Sequence, residues 1–475
     1  MESRAPRRPI GRWRLRAGWA AWGCAVALLA AGVLAASGPL ARQQGWLVDG
    51  GSSTIAPEIV ERLQPEPERL GAGVAGTAAE PAYTSASASD VQQAMAANPP
   101  ELSGDYSGAV ADLAGGDLDY DLSATQPLIP ASTLKIMTAV AVLDALGPQH
   151  TFATTVVSTQ TGMIVLEGGG DPLLSSTPTS YASSSTIDLP STQQLAQATA
   201  DALKAQGVAQ VTLGYDDSLF TGDTWHTDWP EDDREFIAPV TALVVDEGAS
   251  SPGLDSPSSA AAEVFADQLR AAGIEVDGDP VPASAAGGEQ LAQVASAPLS
   301  LLVQEMLTHS DNYIAEVLLR QVALAAGEAG SFDGGASALV ASLEELGLWR
   351  EGQVIVDGSG LSANDRLTTQ ALVSALQLAA SRDDLADILA ALPVGCATGT
   401  LVNRFTDDQS TAGRGIVRAK TGTLDQVASL AGYTPTSDGG LVAFAFIGNG
   451  IPSDQDARPW LDHVASALAD CDCAA

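Results

Sequence analysis

The clearest hydrophobic pattern of the chain begins near residue 103, where two alternating runs flank a pair of glycines. The runs AVADL and LDYDL lie on either side of Gly115 and Gly116, and alternation around a glycine turn predicts a β-hairpin. The next segment, STLKIMTAVAVLDALG, carries apolar residues at helical spacing on most of its faces, and Gly147 and Pro148 end it. Because such a helix is buried, Ser132 at its start is expected at the edge of a sheet.

The rest of the chain divides into an insert and a second half of the same fold. Between about residue 151 and residue 295 the pattern changes to short strands, loops rich in Gly and Ser, and two helical segments. Helical periodicity then returns, followed by strand-like runs with a turn at residues 437–440 and by a last helix. This order predicts a split α/β (α+β) domain, formed by residues 101–152 and 296–475 and interrupted by a smaller domain at residues 153–295.

The N-terminal residues predict a membrane segment and a linker. Residues 1–16 hold six arginines and one glutamate, and residues 17–40 hold no charged side chain. A helix of that length spans about 36 Å, enough for a bilayer core of ~30 Å, and the arginines favour a cytoplasmic N-terminus. We expect a basic cytoplasmic tail, an anchor in the cell membrane and an extracytoplasmic body; a cleaved signal peptide and secretion are the alternative. Residues 41–100 lack periodicity and predict a flexible linker.

Charge and cysteine content exclude some functions. The net charge of -36 and the pI near 4.1 exclude a nucleic-acid-binding surface, which needs clustered positive charge. Cys24 lies in the apolar segment, whereas Cys396, Cys471 and Cys473 lie in the exported part. A disulfide from Cys396 to one of the C-terminal pair suits an oxidising compartment. Zinc is the weaker interpretation because no CxxC pair or histidine cluster is present, so no metal or other cofactor is expected.

Three short motifs carry the candidate chemistry. The chain has only three lysines, and one of them, Lys135, follows Ser132 by three residues, which places both side chains on one face of a helix. A serine hydroxyl is a poor nucleophile until a base takes its proton, and a lysine can do so once burial or a nearby positive charge lowers its pKa. That second charge is expected from Lys420 in KTGT. Ser310 and Asn312 belong to SDN, at the boundary between two helical segments.

Each motif also has a purely structural interpretation. The S-x-x-K spacing is expected by chance about 0.3 times in a chain of this composition, and it also fits a helix start with a solvent-facing lysine. The SDN run fits a helix N-cap. The KTGT run is much rarer, and the ordered presence of all three motifs is hard to explain by caps and solvated faces.

Together the three motifs resemble the set found in penicillin-recognising serine enzymes. The separations are 310 - 132 = 178 residues and 420 - 310 = 110 residues. The first is too long for a β-lactamase but is similar to that of the D-alanyl-D-alanine carboxypeptidase/endopeptidase family, the class C low-molecular-mass penicillin-binding proteins. The scarcity of lysine is typical of an actinobacterial member. The resemblance extends from about residue 103 to the C-terminus through EGGGDPLL, APVTAL, DGSGLS and LPVGCATGTLVNRF.

The resemblance implies a transpeptidase/β-lactamase-like domain, with an antiparallel sheet flanked by helices. It also implies an acyl-enzyme on Ser132, formed by attack on the bond between the two D-alanines of a peptidoglycan stem peptide. Lys135 would take the serine proton. Ser310 would relay a proton to the leaving nitrogen, and Asn312 would bind the substrate amide.

The resemblance assigns the KTGT strand to substrate binding. Lys420 would supply positive potential, and Thr421 and Thr423 would bind the terminal carboxylate, with Gly422 between them. The backbone N–H groups of Ser132 and Thr423 would form the oxyanion hole.

The expected function is that of a serine-type D,D-carboxypeptidase that trims stem peptides and is acylated by β-lactam antibiotics. Endopeptidase cleavage of cross-links stays open. A β-lactamase is one alternative, although no E-x-x-x-N run follows Asn312 closely and Glu316 lies on a helix. A non-catalytic wall-binding protein with the same fold is the other. Ala363 stands directly after DGSGLS where some members carry Arg.

Overall fold

The computed structural model describes residues 87–180, 188–248 and 256–473. The predicted basic tail, the predicted anchor or signal peptide and most of the predicted linker lie outside these residues. Among the helices that are described, none is both long enough and apolar enough to span a bilayer.

The described residues form twelve strands and ten α-helices. The strands are β1 (Asp105–Asp112), β2 (Leu118–Leu122), β3 (Ala153–Gln160), β4 (Met163–Glu167), β5 (Thr179–Ser180), β6 (Asp188–Leu189), β7 (Gln210–Asp216), β8 (Glu275–Pro282), β9 (Glu289–Ala295), β10 (Arg418–Leu424), β11 (Val427–Pro435) and β12 (Leu441–Asn449). The helices are α1 (Ala88–Ala96), α2 (Lys135–Leu146), α3 (Thr192–Ala205), α4 (Pro257–Ala271), α5 (Leu299–His309), α6 (Asn312–Ala325), α7 (Phe332–Glu345), α8 (Thr369–Ser381), α9 (Asp387–Ala391) and α10 (Asp454–Ala469).

The first sheet joins the two ends of the described chain. Its five strands lie in the order β10-β11-β12-β1-β2, and every neighbouring pair is antiparallel. The β1–β2 pair is the predicted hairpin, the β11–β12 turn lies at the predicted residues 437–440, and α2 follows as the predicted buried helix ended by Gly147. These predictions are confirmed.

Alternation along the strands gives this sheet two different apolar faces. Small side chains such as Ala443 and Ala445 face one side, where α8 packs directly and shares a core with α2, α5 and α6. Large side chains such as Phe444 and Phe446 face the opposite side, against α10. The small residues allow a close helical layer, and α2 is therefore enclosed by other elements over most of its surface.

The second sheet is formed by strands between residues 153 and 295. It has the order β8-β7-β4-β3-β9, with parallel β4–β7 and β7–β8 pairs, and α3 and α4 cover one face. Ser191 caps α3 with a capping box, and Ser256 caps α4. These strands fall within the predicted insert, and the domain boundaries themselves stay a prediction.

The structure differs from the sequence analysis at the end of the predicted linker, residues 41–100. Residues 88–96 of this stretch form α1, whose Val91 and Met95 are buried in the same cluster as α10. Val91 and Met95 are four residues apart and lie on one helix face, so two apolar residues in a polar, alanine-rich stretch suffice to dock a short helix. The backbone N–H of Ser87 donates to the carbonyl of Cys473, which ties the start of α1 to the C-terminus.

The predicted disulfide from Cys396 to the C-terminal pair is wrong. Cys471 and Cys473 are bonded to each other, and Cys396 is free and exposed. Their Cα atoms are 5.1 Å apart, within the range that a disulfide spans. The C-terminus is held at the β11–β12 turn because the Ser437 hydroxyl donates to the Cys471 carbonyl over 2.8 Å.

The packing of α1 predicts the effect of truncating Met95. Met95→Ala should lower the free energy of unfolding by about 2–5 kcal/mol, because it leaves a cavity between α1 and α10. Guanidinium unfolding followed by tryptophan fluorescence measures the change. Gln93→Ala, at an exposed position of the same helix, is the matched control and should change little. Equal stability of Met95→Ala and the wild type would show that α1 does not contribute to the fold.

Candidate active site

Ser132 lies in a tight turn that leads directly into α2. Residues Ala131–Leu134 form a 3₁₀ turn, and Ala131 has a φ of 47°, in the left-handed region. Two glycines let other segments approach this turn. A Cβ at Gly360 would lie 2.1 Å from the Ala131 carbonyl oxygen, and one at Gly422 would lie 2.7 Å from the Pro130 carbonyl oxygen. The serine turn is therefore enclosed from both sides by backbone that only glycine permits.

Lys135 is fully buried, and its amine contacts three oxygen acceptors. Nζ donates to Ser132 Oγ over 2.9 Å, to Asn312 Oδ1 over 2.7 Å and to the Ser359 carbonyl over 2.7 Å. Burial lowers the pKa of Lys135 to about 8, against the opposing effect of nearby carboxylates, of which Asp357 is the strongest. The structure thus brings together the predicted pair, Ser132 and Lys135, and adds Asn312 to it.

The second lysine forms a similar pair on the edge strand β10. Lys420 is fully buried, and its Nζ donates to Ser310 Oγ over 2.7 Å and to the Thr421 carbonyl over 2.8 Å. Burial, and then the proximity of Lys135, hold the pKa of Lys420 well below its usual value. The amine therefore lies between a serine of the SDN run and its own strand.

The SDN run has a structural role as well as a place in the site. Ser310 ends α5 in the left-handed region, with a φ of 63°, and the Asp311 carboxylate caps α6 by accepting from the Ile314 N–H over 2.8 Å. The predicted helix boundary is confirmed, and Asp311 is its N-cap. This reversal of the chain turns the side chains of Ser310 and Asn312 toward the two lysines.

The remaining predicted residues lie along β10. Thr421 is half-buried, and its hydroxyl donates to Thr400 Oγ1 over 2.9 Å. Thr423 is exposed, and Gly422 between them is buried against the serine turn. Thr400 belongs to the LPVGCATGTLVNRF segment, so this segment orients one threonine of KTGT.

Sequence reasoning missed the groups behind Lys135. The DGSGLS segment forms a loop, here called the backing loop (residues 357–362), whose Ser359 carbonyl accepts from Lys135. Glu316 of α6 holds this loop, since its Oε1 accepts from the N–H groups of Gly358 and Ser359 over 3.0 and 2.7 Å. Glu316 lies four residues after Asn312 and therefore on the same helix face, a spacing that could have indicated this role.

The backing loop is also held by its own carboxylate. Asp357 Oδ1 accepts from the Gly360 N–H and Oδ2 from the Ser362 N–H, each over 2.7 Å. Asp357 and Glu316 are both fully buried, and burial, followed by the proximity of Asp357, raises the pKa of Glu316 to about 8. The negative charge behind Lys135 therefore comes chiefly from Asp357, and from Glu316 in its ionised form, and both residues also fix the backbone around the lysine.

The fold and the site define a class. Penicillin-recognising serine hydrolases share three features with this site. They have a serine at the start of a buried helix, a lysine hydrogen-bonded to that serine, and a second serine–lysine pair at the edge strand of a five-stranded antiparallel sheet. The chain belongs to the D-Ala-D-Ala carboxypeptidase 3 (S13) family, whose sequence model matches residues 88–256 and 249–470. It is a serine-type D-Ala-D-Ala carboxypeptidase, and the family predicted from the motifs is confirmed.

Similar proteins agree with this assignment. The chain is 34% identical to carboxypeptidase Rv3627c of Mycobacterium tuberculosis over 86% of this chain and 89% of that protein. It is 28% identical to a D-alanyl-D-alanine carboxypeptidase of Actinomadura over 74% and 79%. The crystal structure of penicillin binding protein 4 from Haemophilus influenzae has a TM-score of 0.65 and 24% identity, covering 80% of this chain and 98% of that one. The predicted fold class is therefore confirmed.

The charge behind Lys135 predicts a pH effect. Because the neutral amine is the form that accepts a proton, kcat/KM for release of terminal D-alanine should rise with pH through about 8, the pKa of Lys135. Glu316→Gln keeps an acceptor for the backing loop but removes a group whose ionised form raises the pKa of Lys135. The rise should therefore lie at lower pH in this variant, as a pH series with a defined peptide would measure.

The matched control for this pH series is Glu345→Gln, at an exposed position of α7. It removes the same charge from the surface, and its pH profile should match that of the wild type. A profile of Glu316→Gln that is unchanged, or displaced to higher pH, would contradict an electrostatic action of Glu316 on Lys135.

Proposed function

We propose that Ser132 is the nucleophile, and Lys135 its general base, in the cleavage of the D-Ala-D-Ala bond of peptidoglycan stem peptides. The observation that supports this most directly is the 2.9 Å contact between Lys135 Nζ and Ser132 Oγ. With a pKa of about 8, about a tenth of Lys135 is neutral at pH 7. The neutral amine can donate its two protons to Asn312 Oδ1 and the Ser359 carbonyl, which leaves its lone pair toward the serine hydroxyl.

The second pair would act on the leaving group. In this proposal Ser310, hydrogen-bonded to Lys420, passes a proton to the nitrogen of the departing D-alanine. Lys420, Thr421 and Thr423 bind the terminal carboxylate, with Gly422 allowing the strand to approach the serine turn. The N–H groups of Ser132 and Thr423 hold the oxyanion, and loss of one such donor typically costs ~10²–10³ in rate.

Asn312 is suited to hold the substrate amide. Its Oδ1 accepts from Lys135, and its Nδ2 donates one N–H to the Phe236 carbonyl over 3.2 Å. An amide nitrogen has a second N–H, and this one can donate to the carbonyl of the stem peptide.

Acylation by β-lactams follows from the same chemistry. A structure of penicillin binding protein 4 from Haemophilus influenzae is a complex with a β-lactam, and we propose that penicillin acylates Ser132 here. A class A β-lactamase also uses a glutamate that activates water for deacylation. Glu316 is fully buried and its carboxylate accepts the N–H groups of the backing loop. A long-lived adduct is therefore favoured over rapid turnover.

The proposal predicts the behaviour of Ser132→Ala. This variant should lose D-alanine release by at least ~10³-fold, because no other group supplies the nucleophile, and should form no penicillin adduct. Mass analysis of defined linear and cross-linked stem peptides measures the release and also tests the endopeptidase activity. Intact mass of the wild type should show one stable adduct on Ser132. Ser381→Ala, at the exposed end of α8, is the control.

Two results would reject this function. One is penicillin acylation of Ser132→Ala at the wild-type rate. The other is a wild-type protein that binds stem peptides but neither cleaves them nor reacts with penicillin, as a non-catalytic wall-binding protein would.

Membrane anchoring is a separate proposal that rests on the arginines before residue 17 and the uncharged residues 17–40. The full chain, expressed in a bacterial host, should remain in carbonate-washed membranes, with a mass that includes residues 1–40. A soluble protein that begins shortly after residue 35 would instead establish a cleaved signal peptide.

A further inference from the structure

A segment of the insert lies directly on the catalytic elements. This segment, here called the strap (residues 221–241), is fixed to α6 at both ends. At its start the Arg320 guanidinium donates from Nη1 to the Thr221 carbonyl over 3.1 Å and from Nη2 to the Asp223 carbonyl over 2.7 Å. At its end the Tyr313 hydroxyl donates to the Thr241 carbonyl over 3.2 Å. The strap is therefore held to the helix that begins with Asn312.

Between these ends the strap inserts an indole behind the site. Trp229 is 4% exposed, and its Nε1–H donates to Asp357 Oδ2 over 2.9 Å. The ring packs edge-on against Phe332 and Trp225, with centroids 5.2 and 5.3 Å apart. Phe332 in turn lies under the guanidinium of Arg320, at 4.2 Å. The hydrogen bond to Asp357 is thus formed in a place from which aromatic side chains exclude water.

Trp229 is the donor from the strap to a carboxylate that shapes the backing loop. Two further donors to Asp357 are N–H groups of the loop itself, from Gly360 and Ser362. The Asp365 carboxyl is hydrogen-bonded to Asp357 as well, and burial and Asp357 hold its pKa well above the usual value, in the protonated form that can donate. A buried carboxylate that loses a donor is destabilised, and this favours a rearrangement of the loop that replaces the lost hydrogen bond. That rearrangement would displace the Ser359 carbonyl, one of the acceptors of Lys135.

The strap also reaches the other protein acceptor of Lys135. The Phe236 carbonyl accepts from Asn312 Nδ2, which fixes the orientation of the amide, so that Asn312 Oδ1 points to Lys135 Nζ over 2.7 Å. Besides Ser132, the acceptors of Lys135 are Asn312 Oδ1 and the Ser359 carbonyl. Residues of the insert therefore hold both of these acceptors, one directly and the other through Asp357.

We propose that the strap is a positioning element of the catalytic centre and that Trp229 is a positioning residue for Lys135, acting through Asp357 and the backing loop. This inference rests on the proposed role of Lys135 as the base. It assigns to the insert a part in the chemical step, because small displacements of a general base lower the rate steeply.

The test compares Trp229→Phe with the wild type in acylation by penicillin and in D-alanine release. The variant should react about tenfold more slowly in the acylation step and in kcat, while KM and the initial affinity for penicillin change less than about twofold. The stoichiometry of the adduct should stay at one per protein, because every molecule is folded but its base is displaced. Trp460→Phe is the matched control: Trp460 is 9% exposed and donates its Nε1–H to the Asn98 carbonyl over 3.2 Å, on the α10 side of the first sheet. Its rates should match those of the wild type.

A chain with 3-benzothienylalanine at position 229 separates the hydrogen bond from the packing, because this side chain fills the space of the indole but has no N–H. It should show the same slow acylation, and it replaces Trp229→Phe if that variant does not fold.

Three results would overturn the inference. These are wild-type rates in both variants at position 229, a lower stoichiometry at an unchanged rate, and an effect confined to KM. If the wild type itself forms no adduct on Ser132, the proposed function fails and the inference with it. If the wild type forms the adduct and the variants at position 229 react at the wild-type rate, only the inference is overturned and the proposed function stands.

Discussion

The active site depends on burying one lysine amine next to a serine hydroxyl. Removing an ammonium group from water is costly. Lys135 is fully buried, and this burial lowers its pKa to about 8. The carboxylates of Asp357, Glu316 and Asp311 limit that decrease. The balance leaves an amine that is mostly charged at neutral pH but can become neutral at little cost, as a general base requires.

Much of the surrounding architecture can be understood as a means of meeting this constraint. Because the amine is buried, its hydrogen-bond acceptors must come from the protein and not from water. The structure provides a hydroxyl, an amide oxygen and a backbone carbonyl from three separate parts of the chain. Gly360 lets the backing loop, and Gly422 lets β10, approach the serine turn within backbone contact. The small side chains on one face of the first sheet allow the helical layer that encloses α2.

Sequence patterns predicted the residues that act through their side chains, but not those that act through backbone groups. Ser132, Lys135, Ser310, Asn312 and Lys420 belong to rare motifs in a chain with three lysines, and the structure brings all five together. A carbonyl such as that of Ser359 carries no signature in sequence, because every residue has one. The bond from Trp229 to Asp357 joins residues 128 positions apart, and no local pattern indicates such a partner. Helix α1 was missed because only two of its residues are buried.

The two lysines differ in the anions around them, and that difference bears on their proposed roles. Lys135 has three carboxylates that favour its charged form, whereas among the described residues Lys420 is influenced by burial and by Lys135, both of which favour its neutral form. In the proposed function, a terminal carboxylate bound at KTGT would supply a negative charge close to Lys420. By linkage, binding of this carboxylate and protonation of Lys420 strengthen each other. A charged Lys420 in turn favours the neutral form of Lys135, because the interaction between the two amines is reciprocal. In the proposed function, a bound substrate carboxylate therefore holds Lys420 in its charged form.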